Sequence, residues 1–339
     1  MRFGYFIIVL LVCSFPVLKG QDIHFSQYNG SHLNLNPALT GMFNGDYRFN
    51  AIYRTQWQAV PVPYKTVGIA ADARFRPKQL KSDCIGVGLQ FNNDQAGDAY
   101  YTTNQIYLSG SYIHKLKKDS ALLVSFGINS GYSTTRFAYN RMSFDNQFDG
   151  YNYNNGSPTG ENFKSEKSGF TDFNIGIGFQ YSFSQFTRLT YAFSFNHLTN
   201  PTITYQANTI SKLDSKLGNY LAFETPVTDN NKFILLGEVL YSNQGKYNEI
   251  IPGANIKYMV NTENNTGVSL GVYWRTRDAV VARLGYTYKT TTAGMSYDMN
   301  TSKFIAATNR RGAFEIFVTH IIQRYRPFIA KKRVCPVFM

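Results

Sequence analysis

The sequence predicts an all-β fold. It reads as a transmembrane antiparallel up-and-down β-barrel of the outer membrane with about fourteen strands, plus an N-terminal luminal or periplasmic segment that is not a strand. Three observations predict it. Segments of about ten residues alternate apolar with polar or tiny side chains. Beyond residue 20 no stretch reaches the ~18 consecutive apolar residues of a membrane helix. The connections are long and short by turns. At 279–288, Val280, Ala282, Leu284, Tyr286 and Tyr288 share one face and Val281, Arg283, Gly285 and Thr287 the other, because a strand turns its side chains over at every residue; the clearest strands are 173–183 and 266–276. A soluble sheet with one wet face shows the same pattern, so loops and termini must distinguish them.

In chain order, residues 1–20 have the form of a signal peptide: Arg2, the apolar run Tyr5 to Val17, and Gly20 as the small residue before Gln21. Cys13 follows Val12, where a lipidated cysteine needs a small residue. Residues 21–46 cannot be a strand, because Asn34, Asn36, Pro37 and Gly41 break any ladder. Asn36-Pro37 favours an extended residue and then a turn, and Gly41 permits positive φ. This segment is either a fixed plug or partner-facing clasp, or simply filling for a lumen too wide for wall side chains. Residues 47–328 form the barrel, with strands near 47–57, 65–75, 84–93, 101–114, 120–133, 169–183, 187–197, 219–228, 232–242, 248–260, 266–276, 279–289, 291–299 and 312–326. Pro226 interrupts one of these, and Pro252 must sit at a bulge or strand start. Residues 329–339 are a basic periplasmic tail.

Export by a signal peptide puts Gln21 in the periplasm, so the first strand runs outward and both termini are periplasmic. The long connections 134–168, 198–218 and 300–311 then fall outside, and the short ones 115–119, 184–186, 229–231 and 261–265 inside, as in bacterial barrels. The 25 Tyr and 27 Phe against 2 Trp suit interfacial girdles, and a mean hydropathy of −0.28 is no obstacle, because only alternate residues meet lipid. The net charge of +13 does not imply nucleic acid. Its cations gather at turns assigned to one rim: Arg74, Arg76, Lys78 and Lys81; His114, Lys115, Lys117 and Lys118; Arg324, Arg326, Lys331, Lys332 and Arg333. Such a rim matches anionic headgroups or an acidic periplasmic partner.

The segments His24-Phe25-Ser26-Gln27-Tyr28, Asn36-Pro37-Ala38 through Gly41, Tyr53-Arg54-Thr55-Gln56-Trp57 and Pro61 to Tyr64, with a tail Cys335-Pro-Val-Phe-Met339, together resemble the PorP/SprF family of type IX secretion system outer-membrane proteins. The resemblance implies a non-enzymatic barrel without cofactor that works with the type IX apparatus. It also implies a secreted surface adhesin, carrying the second class of C-terminal sorting domain, as cargo to be exported or anchored, in some bacteria for gliding. A periplasmic ring or peptidoglycan-associated lipoprotein is a further implied partner. The alternative is a FadL-like or porin-like barrel for passive solute uptake.

No close-spaced His or Cys pair suggests a metal. Ser194 and His197 lie three apart, on opposite faces of a regular strand, so no nucleophile–base pair is expected. Arg54, Asp72, Arg74, Glu238 and Arg283 are inward candidates. Cys84 and Cys335, both assigned to the periplasmic end of an oxidising compartment, are a possible disulfide pair. The outer loop 134–168, rich in Tyr, Asn and Gly, offers Tyr139, Arg141, Tyr151 and Tyr153 as candidate partner-binding residues.

Overall fold

The computed structural model describes residues 22–324, apart from 59–61, 81, 117–120, 162, 164, 206–210 and 303–304. The expected signal peptide and C-terminal tail lie outside the described residues. Fourteen strands close into one barrel: β1 (Tyr47–Gln56), β2 (Tyr64–Phe75), β3 (Cys84–Ala96), β4 (Tyr101–Lys115), β5 (Leu122–Arg136), β6 (Lys167–Ser182), β7 (Arg188–Asn196), β10 (Lys216–Pro226), β11 (Phe233–Gln244), β12 (Tyr247–Asn261), β13 (Thr266–Arg275), β14 (Ala279–Tyr288), β15 (Thr291–Asn300) and β16 (Arg311–Ile322). The two-residue strands β8 (Thr202–Ile203) and β9 (Ser211–Lys212) pair only with each other. All pairs are antiparallel, and β16 returns to β1 from Tyr47↔Ile322 to Gln56↔Ala313. Closure satisfies every strand edge, which a sheet in lipid requires. No helix among the described residues is long and apolar enough to cross a membrane.

All fourteen expected strands are present, with ends moved by a few residues. Pro226 closes β10. Pro252 is a correction: it lies inside β12, opposite Val239, and not at a bulge or strand start. Its missing amide breaks the pairing with β13, whose regular register starts at Gly253↔Tyr273, while the Thr276 amide bonds Ile250 O (3.0 Å) on the far side of the gap. Alternation sorts the two faces. Leu284, Tyr286 and Tyr288 are about half exposed on the outer wall of β14 while Arg283 is 8% exposed inside. On β13, Leu270, Val272 and Trp274 point out, and Tyr273 and Arg275 point in. A wall of half-exposed apolar side chains around a closed ring is the surface lipid covers.

The long connections 137–166, 197–215 and 301–310 crowd one end, here the loop end; 183–187, 262–265 and 289–290 close the other, the turn end. The lumen holds residues 22–46. Asp22 meets Lys216 and Gln244, at the loop ends of β10 and β11, while the Asp46 amide bonds Ile322 O at the turn end (2.9 Å). The segment therefore runs the length of the barrel. Asp22 and Ile322 lie at opposite ends, because a segment that crosses the lumen must begin opposite the end where it enters β1; the two chain termini themselves lie outside the described residues.

Candidate functional site

The site is the plugged lumen with its two rims. At the top of the plug, Ser26 and Gln27 are almost completely buried. Their backbone amides bond the two carboxylate oxygens of Glu315 on β16 (2.7 and 2.8 Å). The Ser26 hydroxyl donates to Asp298 (2.6 Å) and accepts from Arg54 (2.7 Å) and Arg275 (2.6 Å). Arg54 also pairs with Asp298 (3.2 Å) and with Glu315, its register partner across the β1·β16 seam. A buried carboxylate or guanidinium persists only when paired and fully hydrogen-bonded. This node of two arginines and two carboxylates therefore specifies the hydroxyl of Ser26, whereas at Gln27 it takes only the backbone amide.

Above the node, Asp22 lies between Lys216 (3.3 Å) and His197 Nε2 (3.6 Å), and His197 Nδ1 contacts Asp172 (2.8 Å). Burial alone would lower the His197 pKa, but hydrogen bonding to Asp172 and the Asp22 charge outweigh it and raise it to about 9. Burial would raise the Asp22 pKa, but Lys216 and His197 reverse the effect and hold it well below the usual carboxylate range. His24 is the opposite case: burial, then Arg275, push its imidazole down to about 4 and keep it neutral. Phe25 packs on Ile52 and Phe317. Tyr28 sits edge-on between Tyr220 (6.0 Å) and Tyr273 (5.9 Å) and donates to Ile251 O (3.2 Å).

Lower down, Asn36 is extended (φ −164°, ψ 126°), and its side chain accepts the Ala38 amide (2.8 Å), capping the 3-10 turn that Pro37 begins. That turn lies against the wall at Gly127, where a Cβ would come within 2.3 Å of the Pro37–Ala38 backbone. Gly41 adopts φ +69° and donates its amide to Asp72 (2.7 Å), and the same carboxylate receives Arg48 through two bonds (2.9 and 2.8 Å). Wall hydroxyls satisfy plug carbonyls: Ser111 with Thr40, Ser125 with Ala38, Ser194 with Leu35. The segment is thus bound to the wall by polar contacts along its length.

Arg54, Asp72, Glu238 and Arg283 are buried inward residues. Arg74 also turns in, donating to Phe43 O (2.8 Å). Arg275, Asp298 and Glu315 were missed, although Asp298 alternates with Tyr297 and Met299, and Glu315 lies between Phe314 and Ile316. The expectation that His197 faces away from Ser194 is corrected. β7 ends at Asn196, and φ +57° at His197 turns the ring inward, where it is 2% exposed. The hydroxyl of Ser194 is committed to Leu35 O and His197 to Asp172. Among the described residues no group of three His, Cys, Asp or Glu side chains is placed to hold a metal ion.

At the loop end, Tyr139 stacks on Phe163 (3.8 Å), and with Phe137, Met142, Ile203 and Tyr205 they line a cleft of about 230 Å³. Arg141 lies over the ring of Tyr100 (4.2 Å). Tyr151 is 92% exposed, while Tyr153 turns back to donate to Gln147 (2.5 Å). Of the basic rim, Lys78 is exposed at the turn end. Lys81, Lys117, Lys118, Lys331, Lys332 and Arg333 lie outside the described residues, as does Cys335. Cys84 is buried and has no disulfide partner among the described residues.

No curated protein matches the chain. Three solved barrels have a similar fold. A deltaS2 mutant of the TodX monoaromatic hydrocarbon channel is 9% identical with TM-score 0.50, over 86% of this chain and 93% of that one. The Pseudomonas putida toluene transporter TodX is 9% identical with TM-score 0.49, over 85% and 92%. The Ralstonia pickettii toluene transporter TbuX is 11% identical with TM-score 0.49, over 85% and 92%. At such identities the likeness is one of fold. The model of the type IX secretion system membrane protein PorP/SprF family matches residues 17–320, a span that takes in both the Ser26–Gln27 node and the wall that holds it, and the chain belongs to that family.

Proposed function

We propose that this protein is a non-enzymatic outer-membrane component of a type IX secretion system that helps export or anchor a surface adhesin, with the loop end facing outward. The observation that carries this reading is the stopped lumen. Ser26, Thr40 and Glu315 have no exposure to solvent, and the plug is bonded to the wall along its length. A polypeptide has no path through such a barrel, so partners meet its rims. The aromatic cleft at the loop end supplies contact area at low entropic cost, and Lys78 with the other cationic turns gives the opposite rim a surface for acidic periplasmic partners. In bacteria that glide, an anchored adhesin is the component that would bear traction.

The rival is passive solute uptake, as in the toluene transporters of similar fold. Affinity purification from native outer membrane in mild detergent, with conductance of the reconstituted barrel, separates the two. Type IX components and a large secreted chain should co-purify, and conductance should stay at the bilayer background. Solute-dependent conductance without a secretion partner would establish uptake instead.

A further inference from the structure

Four arginines are buried among the described residues: Arg48, Arg54, Arg275 and Arg283. Three have carboxylates at hydrogen-bond distance, Arg48 with Asp72, Arg54 with Glu315 and Asp298, and Arg275 with Glu249, Asp278 and Asp298. Arg283 has none among the described residues. Its Nη1 donates to the Tyr273 hydroxyl (3.1 Å), its guanidinium lies over the Phe317 ring (4.9 Å), and its Nε is buried with no partner. Glu238, which lines a cavity with Arg283, feels its charge but is held by Asn29 and not by Arg283. A buried guanidinium with no carboxylate at hydrogen-bond distance is incompletely compensated, and that is the feature to explain.

Arg283 lines a cavity of about 390 Å³ below the plug, among Thr319, Ile321, Arg188 and Glu224 near the strand ends of the turn end. That is the size of a small-ligand site. We propose that this cavity binds a carboxylate borne on an apolar stem, received by the Arg283 guanidinium that lines it. The planar guanidinium fork matches a carboxylate, and Phe317, Tyr220 and Leu236 provide apolar walls for the stem. Glu238 lines the same cavity, with its carboxylate held by Asn29 (2.9 and 3.2 Å). Its negative charge opposes an incoming anion, a dianion such as phosphate more than a monoanion. The carboxylate could belong to a small free acid or to the end of a peptide. The inference is independent of the secretion role.

The test uses the full mature protein in detergent, titrated calorimetrically with butyrate, with the tripeptide Ala-Ala-Leu as the free acid, and with the same tripeptide amidated. The free acid should bind at least about tenfold more tightly than the amide, and Arg283→Met should lose the difference while remaining a heat-modifiable barrel. Glu238→Gln should bind the acid more tightly still. Butyrate competing at similar concentration identifies a small acid as the ligand; binding of the tripeptide acid alone identifies a chain terminus. Equal affinity for acid and amide in the wild type, or no binding of any of the three, overturns the proposal even if Arg283→Met fails to fold.

Discussion

Ser26 shows how much one hydroxyl can fix. It joins Arg54, Arg275 and Asp298 at hydrogen-bond distance, so Ser26→Ala leaves three charged groups one partner short inside the lumen. The expected loss is about 2 kcal/mol or more of unfolding free energy, read from urea unfolding in detergent; a loss under a few tenths would mean that the node rearranges freely. His197 gives a prediction with a definite sign. Its folded pKa of about 9 lies above the ordinary 6.5, so its contribution is complete below about pH 6.5 and is lost as pH rises through 9. Asp22, held low, contributes above its ordinary value of 3.8 and gives way only in acid. Amide exchange at Asp22 to Ser26 should accelerate between pH 7 and 10 beyond the intrinsic base-catalysed increase. His197→Gln should show no such extra rise; identical excess profiles would refute a role for the His197–Asp22 contact in holding the segment.

At the scale of elements, the strands were legible because lipid on one side and a polar lumen on the other impose a strict period of two, which residues 266–276 and 279–288 display in the sequence alone. The plug was legible as a non-strand from Asn36-Pro37 and Gly41, but its partners were not. Glu315 meets Ser26 across 289 positions of chain, and no local pattern encodes such a distance. Nor could strand alternation orient His197, since its left-handed backbone lies one residue past the ladder. The plug makes its own prediction. Deleting residues 22–31 removes the Asp22 and Ser26 anchors while keeping the 3-10 turn against Gly127 and the Gly41–Asp72 bond. Ion conductance should rise at least about tenfold over the intact barrel in planar bilayers, and unchanged conductance would show that the lower half seals the lumen unaided.

For the whole molecule, the two ends differ in kind: one carries the long aromatic loops, the other short turns with exposed cations. If the loop end faces outward, Tyr151→Cys should react with a membrane-impermeant maleimide on intact cells, and Lys78→Cys only after the envelope is opened. Reversed labelling would invert the molecule and exchange the roles assigned to its rims. Cys84 is buried, so it should contribute little background.

The Ser26–Gln27 node also has a bearing on how the ring is made. Glu315 belongs to the last strand and Arg54 to the first, and the two face each other across the seam where the sheet closes. The backbone amides of Ser26 and Gln27 occupy both oxygens of Glu315, and the Ser26 hydroxyl receives Arg54. The N-terminal segment, far from the seam in the sequence, thus supplies the groups that neutralise the final joint. Until that segment is seated, β1 and β16 would face one another with a buried carboxylate and guanidinium incompletely satisfied. Zipping the seam and seating the segment become a single event, with the N-terminal residues serving as the form around which the cylinder is wrapped.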